Sequence, residues 1–226
     1  MEDFGLNTVK TIETLRSRGI HRMLVVLRHS ARFYRPNMPK IEPFLGLTEE
    51  GKDYSLRLGS ELPTDTSLRL FSSPVGRCIE TAYLVDKGNT AAGGRCETNK
   101  IKPKLTAFYV KDIAEIFKGI KQRSIAGFFR DWFDGKVPEE VMGNPLETRD
   151  IILDLLLGIL KETNDPVIDI AISHDWYMYV LKEHFLKQPL EEFGQVQYLE
   201  GAAIFEKQGK LYIVNHQSDP VPIEQL

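Results

Sequence analysis

Six polar residues, which fall at three places in the chain, have side chains suited to binding and attacking an anion. They are Arg28, His29, Arg32, Arg77, His174 and Asp175. Guanidinium groups match the oxygens of a phosphate, and a neutral imidazole can attack phosphorus and carry the phosphoryl group covalently. A carboxylic acid can protonate the leaving alkoxide, which is worth about 10²–10⁴ in rate. These residue types therefore indicate phosphoryl chemistry.

Each residue has an expected role in such a site. We expect His29 to be the nucleophile, with its pKa lowered from ~6.5 by nearby positive charge so that it stays neutral. His174, when protonated, would donate a hydrogen bond, and Asp175 is the first candidate for the general acid. The expected phosphate-binding set is Arg28, Arg32, Arg77 and His174; the expected catalytic set is His29, Arg28, Arg77, His174 and Asp175.

The sequence pattern predicts how these groups are brought together. The apolar run 23–27 is typical of a strand buried on both faces, and the first Arg-His group follows it directly. Arg77 follows strand 68–72 and a helix start at Ser73-Pro74, and His174 follows strand 167–172. The carboxyl ends of parallel strands meet at one edge of a sheet, where ligands bind. Charged groups are costly to gather without a counter-charge, and a phosphate would supply it.

Other segments have simpler predictions. Helices are expected within 1–20, from an N-cap at Thr48 to Pro63, and over 148–160, with a closing hairpin over 202–214. The Pro-rich stretch 33–47 and the polar, Gly-rich stretch 86–104 are expected to be loops. The aromatic, interrupted stretch 105–144 is expected to form a helical cap insertion within a single domain, 1–226. The loop 33–46 and the cap would wall the pocket.

Composition narrows the classes of partner. A length of 226 residues fits one α/β domain. A formal charge of −3 and a pI near 6.0 argue against nucleic-acid and membrane-surface binding.

No apolar run approaches the ~20 residues that a membrane-spanning helix needs, and the N-terminus lacks a secretory signal pattern. With only Cys78 and Cys96, a disulfide framework is not indicated and a cytoplasmic location is expected, although a single bond between them stays open. The expected partner is a small phosphorylated substrate, with oligomeric state undetermined.

Four motifs together carry a resemblance to a known family. They are LRHSAR (27–32), LTEEG (47–51), SSPVGRCIETA (72–82) and SHD (173–175), and in this order they resemble the histidine phosphatase superfamily of acid phosphatases and phosphoglycerate mutase-like enzymes. The resemblance implies a three-layer α/β/α sandwich with a mostly parallel sheet. It also implies a metal-independent, cofactor-free phosphatase in which His29 is phosphorylated, and a proton donor at Asp175, as in the acid-phosphatase branch.

The chain departs from that family at several positions. Ser30 stands where the family usually has Gly, and Ala31 and Tyr34 stand where mutases have Glu and Asn, so a mutase is not expected. The middle of the chain is more similar to the mutase-like branch, which makes Asp112 and Glu115 rival general acids.

Two other functions stay open. One is a catalytically inactive phosphate-binding regulatory or scaffolding protein on the same fold. The other is a metal-dependent hydrolase with His29, His174 and Asp175 as ligands. The second is disfavoured, because three Arg side chains would repel the cation.

Overall fold

A seven-stranded mixed sheet runs through the centre of the protein. The structure is a computed structural model and describes residues 3–34 and 44–224. The strands are β1 (Met23–Arg28), β2 (Ser67–Ser72), β3 (Cys96–Ile101), β4 (Val167–Ser173), β5 (Gly201–Lys207), β6 (Lys210–Val214) and β7 (Val221–Pro222). Their order is β3-β2-β4-β1-β5-β6-β7. Strands β1 to β4 pair in parallel, while β5, β6 and β7 add antiparallel pairs at one side.

Helices cover both faces of the sheet. They are α1 (Leu6–Ser17), α2 (Glu49–Glu61), α3 (Gly76–Ala91), α4 (Ile113–Phe133), α5 (Pro145–Leu160), α6 (Asp175–Leu181) and α7 (Leu190–Phe193), with a 3₁₀ turn at Pro103–Leu105 and a π-helical turn at Lys182–Leu186. Helices α1 to α3 pack in one apolar cluster with one face, and α4 to α6 in another with the opposite face. The expected three-layer α/β/α sandwich with a mostly parallel sheet is confirmed. In the described parts of the chain, no helix is both long and apolar enough to cross a membrane.

Strand β1 shows why the sheet is central. Leu24 and Val26 belong to the cluster on the α4–α6 side, whereas Met23, Val25 and Leu27 belong to the cluster on the α1–α3 side. Side chains alternate between the faces of a strand, so a strand covered on both sides needs an uninterrupted apolar run. Such a strand ends where the first polar side chains begin, and those side chains are the ones of the expected site.

A buried ion pair joins the two strands that carry the rest of the site. Arg69 of β2 lies opposite Asp169 of β4 in register. Its Nε donates to Asp169 Oδ1 at 2.6 Å and its Nη2 to Oδ2 at 2.8 Å, and Nη2 also bonds the Ile159 carbonyl at 3.0 Å. A one-residue slip would separate the pair and move each side chain to the opposite face. The pair therefore favours the register that aligns the ends of β2 and β4.

Two sequence predictions about the segment after β2 are wrong. Residues 86–104 are not a loop, because α3 continues to Ala91 and β3 pairs in parallel with β2 at the edge of the sheet. Strand β3 is mostly solvent-exposed and polar, so it has no apolar pattern, and backbone hydrogen bonds hold it in place. Helix α3 also starts later than predicted, with Val75 as its N-cap, and the Ser73 hydroxyl accepts a hydrogen bond from the Val75 amide at 3.3 Å.

The stretch 105–144 contains the helical segment α4, which is interrupted at one residue. Helix α4 is kinked at Ser124, whose φ of 69° lies in the left-handed region. Its buried aromatic residues Phe128, Phe129 and Trp132 belong to the same apolar cluster as strand β1. The loop that was expected over 33–47 lies partly outside the described residues.

Candidate active site

The three strand ends meet through backbone hydrogen bonds. The amide of His29, just after β1, donates to the carbonyl of Ser173 at the end of β4, at 3.0 Å. The amide of Ser73, just after β2, donates to the carbonyl of Ile172 at 3.0 Å. Strand β4 lies between the other two in the sheet. The structure thus brings the first residues of all three junctions to one edge.

Arg77 bridges the two histidines. Its Nε donates to His29 Nε2 at 2.9 Å, and its Nη2 lies 3.1 Å from His174 Nδ1. Arg77 is 8 % exposed, His29 2 % and His174 6 %. A guanidinium has no acceptor, so both imidazole nitrogens must accept from it. The two rings also lie edge to face, with centroids 5.6 Å apart.

This geometry determines the tautomer of His29. Its Nδ1 lies 2.7 Å from the carbonyl oxygen of Ser30, which can only accept, so Nδ1 carries the proton. The other ring nitrogen, Nε2, therefore holds the free lone pair, and that lone pair faces Arg77. Burial lowers the pKa of His29 well below its ordinary value of 6.5, and the charge of Arg77 lowers it further. The expected direction is confirmed, but burial is a larger cause than the guanidinium charges.

His174 is a neutral hydrogen-bond relay in the structure. Because Nδ1 accepts from Arg77, Nε2 carries the proton and donates to the Ser73 hydroxyl at 3.0 Å. Burial, followed by the charge of Arg77, lowers the pKa of His174 to about 3. His174 is therefore neutral in this structure, and its role as a protonated donor to a bound phosphate stays a prediction. Its structural effect is to fix Arg77 by a second hydrogen bond, at Nη2, beside the contact between Nε and His29.

Arg28 and Asp175 form a second pair beside the histidines. Arg28 Nη2 lies 3.2 Å from Asp175 Oδ2, and Arg28 Nη1 donates to the Val196 carbonyl at 2.6 Å. The guanidinium carbon of Arg28 lies 4.2 Å from the centroid of the Tyr198 ring. Asp175 Oδ1 accepts from the Trp176 amide at 2.9 Å at the first turn of α6. A carboxylate is thus held beside the cationic groups with one oxygen on Arg28.

Arg32 lies farther out than the sequence suggested. Its Nη1 donates to the Phe33 carbonyl at 3.1 Å, and its guanidinium lies 5.4 Å from the centroid of the Tyr34 ring. Its charge still lowers the pKa of His174, although burial and Arg77 act more strongly. Arg32 therefore contributes positive potential, while the contacts to the imidazoles come from Arg77.

The rival acids Asp112 and Glu115 have other contacts. Asp112 is the N-cap of α4, and its Oδ1 accepts from the amides of Ala114 at 3.0 Å and Glu115 at 3.1 Å. Glu115 is paired with Lys118 at 3.1 Å. Asp175, in contrast, shares an ion pair with Arg28, and its negative charge raises the pKa of Arg77 against the larger lowering by burial. Among these three carboxyl groups, the described contacts place Asp175 with the histidine cluster.

Ser30 is turned toward the scaffold. Its side chain is fully buried, and its hydroxyl donates to the Gly51 carbonyl at 2.7 Å, while its amide donates to Thr81 Oγ1 at 3.2 Å. Gly51 itself packs so closely that an added Cβ would lie 2.0 Å from the Ala31 carbonyl oxygen. The Ser30 hydroxyl therefore links the loop after His29 to α2.

The two cysteines are free thiols. The Sγ of Cys78 lies 3.5 Å from the Ser173 carbonyl and 3.7 Å from His174 Nε2. Burial raises the pKa of Cys78 to about 12, so the thiol is protonated and inert at neutral pH. Across residues 3–34 and 44–224, no group of three or more His, Cys, Asp or Glu side chains is arranged to hold a metal ion.

The sequence pattern gave no signal for Val196 and Tyr198. They lie between α7 and β5 in irregular structure, where neither periodicity nor a motif marks them. Val196 is 168 residues away from Arg28 along the chain, so their contact forms only when the chain folds. Only the fold reveals them.

No protein-family model and no curated protein sequence matches this chain. Solved structures do match. A mutant phosphoserine phosphatase from Entamoeba histolytica, in complex with phosphoserine, has a TM-score of 0.59 at 14% identity, covering 86% of this chain and 95% of that one. A phosphoglycerate mutase from Bacillus anthracis has a TM-score of 0.59 at 17% identity, covering 86% of this chain and 92% of that one. Both are histidine phosphatase superfamily enzymes, so the resemblance in fold that the motifs implied is confirmed.

Proposed function

We propose that this protein is a metal-independent phosphomonoester hydrolase that works through a phosphohistidine on His29 Nε2. The observation that carries the proposal is the 2.9 Å contact between Arg77 Nε and His29 Nε2. It directs the only free lone pair of the imidazole at a guanidinium donor, the group that best matches a phosphate oxygen. A phosphate held by Arg77 would therefore have its phosphorus next to the nucleophile. The phosphatase and the mutase that share the fold support phosphoryl chemistry.

The first half-reaction would use groups already in contact. A phosphate dianion replaces the imidazole as the partner of Arg77 Nε, and Arg28 and Arg77 bind its oxygens. His29 Nε2 attacks phosphorus, and the bond between phosphorus and the ester oxygen breaks. Asp175, which the phosphate displaces from Arg28 and which then takes up a proton from solvent, gives that proton to the departing alkoxide. The Ser30 carbonyl, 2.7 Å from Nδ1, stabilises the positive charge that the ring acquires.

The second half-reaction reverses the roles. Asp175, now a carboxylate, takes a proton from water, whose oxygen attacks phosphorus as the bond to His29 Nε2 breaks. Inorganic phosphate leaves, and His29 regains its neutral tautomer. Arg77 provides the electrostatic stabilisation in both steps, since the hydrogen bond from its Nη2 to His174 preorganises it. We assign the substrate only to the class of small phosphate monoesters.

Free thiols at Cys78 and Cys96 support a reducing compartment such as the cytoplasm.

Hydrolysis of 4-nitrophenyl phosphate in excess chelator tests the proposal. We expect wild-type protein to turn over and His29→Ala to be inactive although folded. His21→Ala, which removes an exposed imidazole outside the site, is the matched control and should keep full activity. Rapid alkaline quench with ³²P-labelled substrate should trap alkali-stable, acid-labile label on wild type alone.

Two outcomes would reject the proposal. Activity retained by His29→Ala would exclude His29 as the nucleophile. Phosphate binding by the wild type without turnover of any ester would instead indicate the regulatory or scaffolding protein.

A further inference from the structure

The segment Val196–Glu200 encloses Arg28 from several sides. The Val196 carbonyl accepts from Arg28 Nη1 at 2.6 Å, and the Tyr198 ring covers the guanidinium at 4.2 Å. The backbone of Arg28 is also bonded to the segment, since its amide donates to the Glu200 carbonyl and its carbonyl accepts from the Leu199 amide, both at 3.1 Å. One arginine is therefore held by backbone, carbonyl and ring contacts from a single stretch.

Tyr198 contacts the nucleophile as well as Arg28. Its ring centroid lies 6.2 Å from that of His29, with the planes tilted by 42°. The ring also packs edge to face on Phe4, with the centroids 5.5 Å apart, and this contact helps to fix its position. A tyrosine ring over a guanidinium attracts it through the cation–π interaction, and the attraction grows when the pair is partly desolvated. The Arg28 side chain is only 15 % exposed.

The segment is itself fixed by buried groups. Glu200 Oε2 accepts from the Gln197 amide at 2.8 Å and closes the turn that carries Tyr198. Glu200 Oε1 lies 3.4 Å from the buried ammonium of Lys182, in the π-helical turn after α6. Leu199 has a φ of 58°, in the left-handed region, and its carbonyl accepts from the Thr8 hydroxyl at 2.6 Å. A residue held in this conformation indicates that the surrounding contacts outweigh its conformational cost.

Arg28 needs such support because another partner competes for it. Asp175 lies 3.2 Å from its Nη2, and a carboxylate can accept two parallel bonds from a guanidinium. If Arg28 turned fully onto Asp175, it would leave the phosphate pocket and occupy the proposed general acid. This movement would break the hydrogen bond from Arg28 to the Val196 carbonyl and the contact between the guanidinium and the Tyr198 ring, so these two contacts oppose it.

We infer that Tyr198 is a positioning residue that keeps Arg28 available for phosphate instead of fully paired with Asp175. This inference rests on the proposed function for its consequence in catalysis, but its prediction about phosphate binding does not require turnover. Tyr198 acts through the face of its ring, so a phenylalanine at this position should preserve the effect on Arg28 and an aliphatic side chain should not.

The test measures the affinity for inorganic phosphate, both as a Ki in the 4-nitrophenyl phosphate assay and as a Kd by calorimetry. For Tyr198→Leu we expect both constants to rise about tenfold, since a partly desolvated cation–π contact corresponds to a change of that order. We expect KM to rise more than kcat falls. Tyr198→Phe should restore both constants to within about threefold of wild type.

Tyr54→Leu is the matched control. Tyr54 is also half-buried, also packs edge to face on Phe4, at 5.2 Å, and also lies near an arginine, Arg57, at 5.7 Å. Losing that ring should leave phosphate affinity unchanged. If Tyr198→Leu does not fold by circular dichroism, Tyr198→Met, which keeps more of the apolar length, takes its place.

The outcomes separate the inference from the proposed function. The positioning role would be overturned if Tyr198→Leu changed phosphate affinity less than twofold. It would also be overturned if Tyr198→Phe and Tyr54→Leu lowered phosphate affinity as much as Tyr198→Leu does. Wild-type protein that binds phosphate but hydrolyses nothing would reject the proposed function, and the calorimetric constants would still decide the role of Tyr198.

Discussion

Two replacements of Arg77 distinguish the effect of its charge from the effect of its contacts with the two histidines. Arg77→Gln removes both the charge and the two-pronged contact with His29 and His174, whereas Arg77→Lys keeps a charge but cannot bridge both rings. Removing one preorganised donor of this kind costs about 10²–10³ in kcat. We therefore expect kcat/KM to fall at least a hundredfold in both variants.

The pH dependence provides a second, independent readout. His29 must be neutral to attack, so activity is lost as pH falls through its pKa, which burial first and Arg77 second hold well below 6.5. In Arg77→Gln burial remains while the charge is gone, so the pKa of His29 rises and the acid limb of kcat/KM moves to higher pH. In Arg77→Lys the limb should move less.

The assay is a pH–rate profile for 4-nitrophenyl phosphate in chelator, with each variant compared with wild type so that titration of the substrate cancels. Arg123→Gln, which removes an exposed guanidinium paired with Asp131 at 2.6 Å, controls for net charge. The reasoning would be refuted if Arg77→Gln kept more than a tenth of the wild-type kcat/KM, or if its acid limb did not move.

Three further predictions concern proton donation, packing and register. Asp175→Asn should slow alkyl phosphates far more than aryl phosphates, whose leaving group needs little protonation, and equal losses would move the acid role away from Asp175. Gly51→Ala places a methyl 2.0 Å from the Ala31 carbonyl oxygen and should cost about 1–3 kcal/mol in urea unfolding, with lower kcat because the loop after the nucleophile moves; an unchanged midpoint would contradict this packing. Arg69→Met should cost about 3–5 kcal/mol by leaving Asp169 buried and unpaired, and adding Asp169→Leu should recover most of it; a double variant as unstable as the single one would contradict the ion-pair account.

Periodic burial made most of the fold predictable from the chain. Strands buried on both faces are mostly apolar. Strand β1 follows this rule, and so does β4 apart from the paired Asp169, so the pattern predicts both strands and the polar residues at their ends. Strand β3 was missed because its side chains are mostly exposed and its pairing depends on backbone groups, which every residue has.

The chain alone determined which residue types gather at the sheet edge. Adjacent parallel strands place their carboxyl ends together, so His29, Arg77 and His174 had to converge once three strands were recognised. The sequence also marked Asp175, because it follows His174 directly.

Only the tertiary structure decided what each group does there. It directs Arg77 to both imidazoles, assigns the lone pair to His29 Nε2, turns Ser30 toward α2 and sets Tyr198 over Arg28. The physical reason is that these are short-range contacts between distant parts of the chain. The residues joined by the Arg77–His29 and Arg77–His174 contacts are 48 and 97 positions apart. Hydrogen-bond direction and burial at such separations depend on packing, which composition and periodicity do not encode.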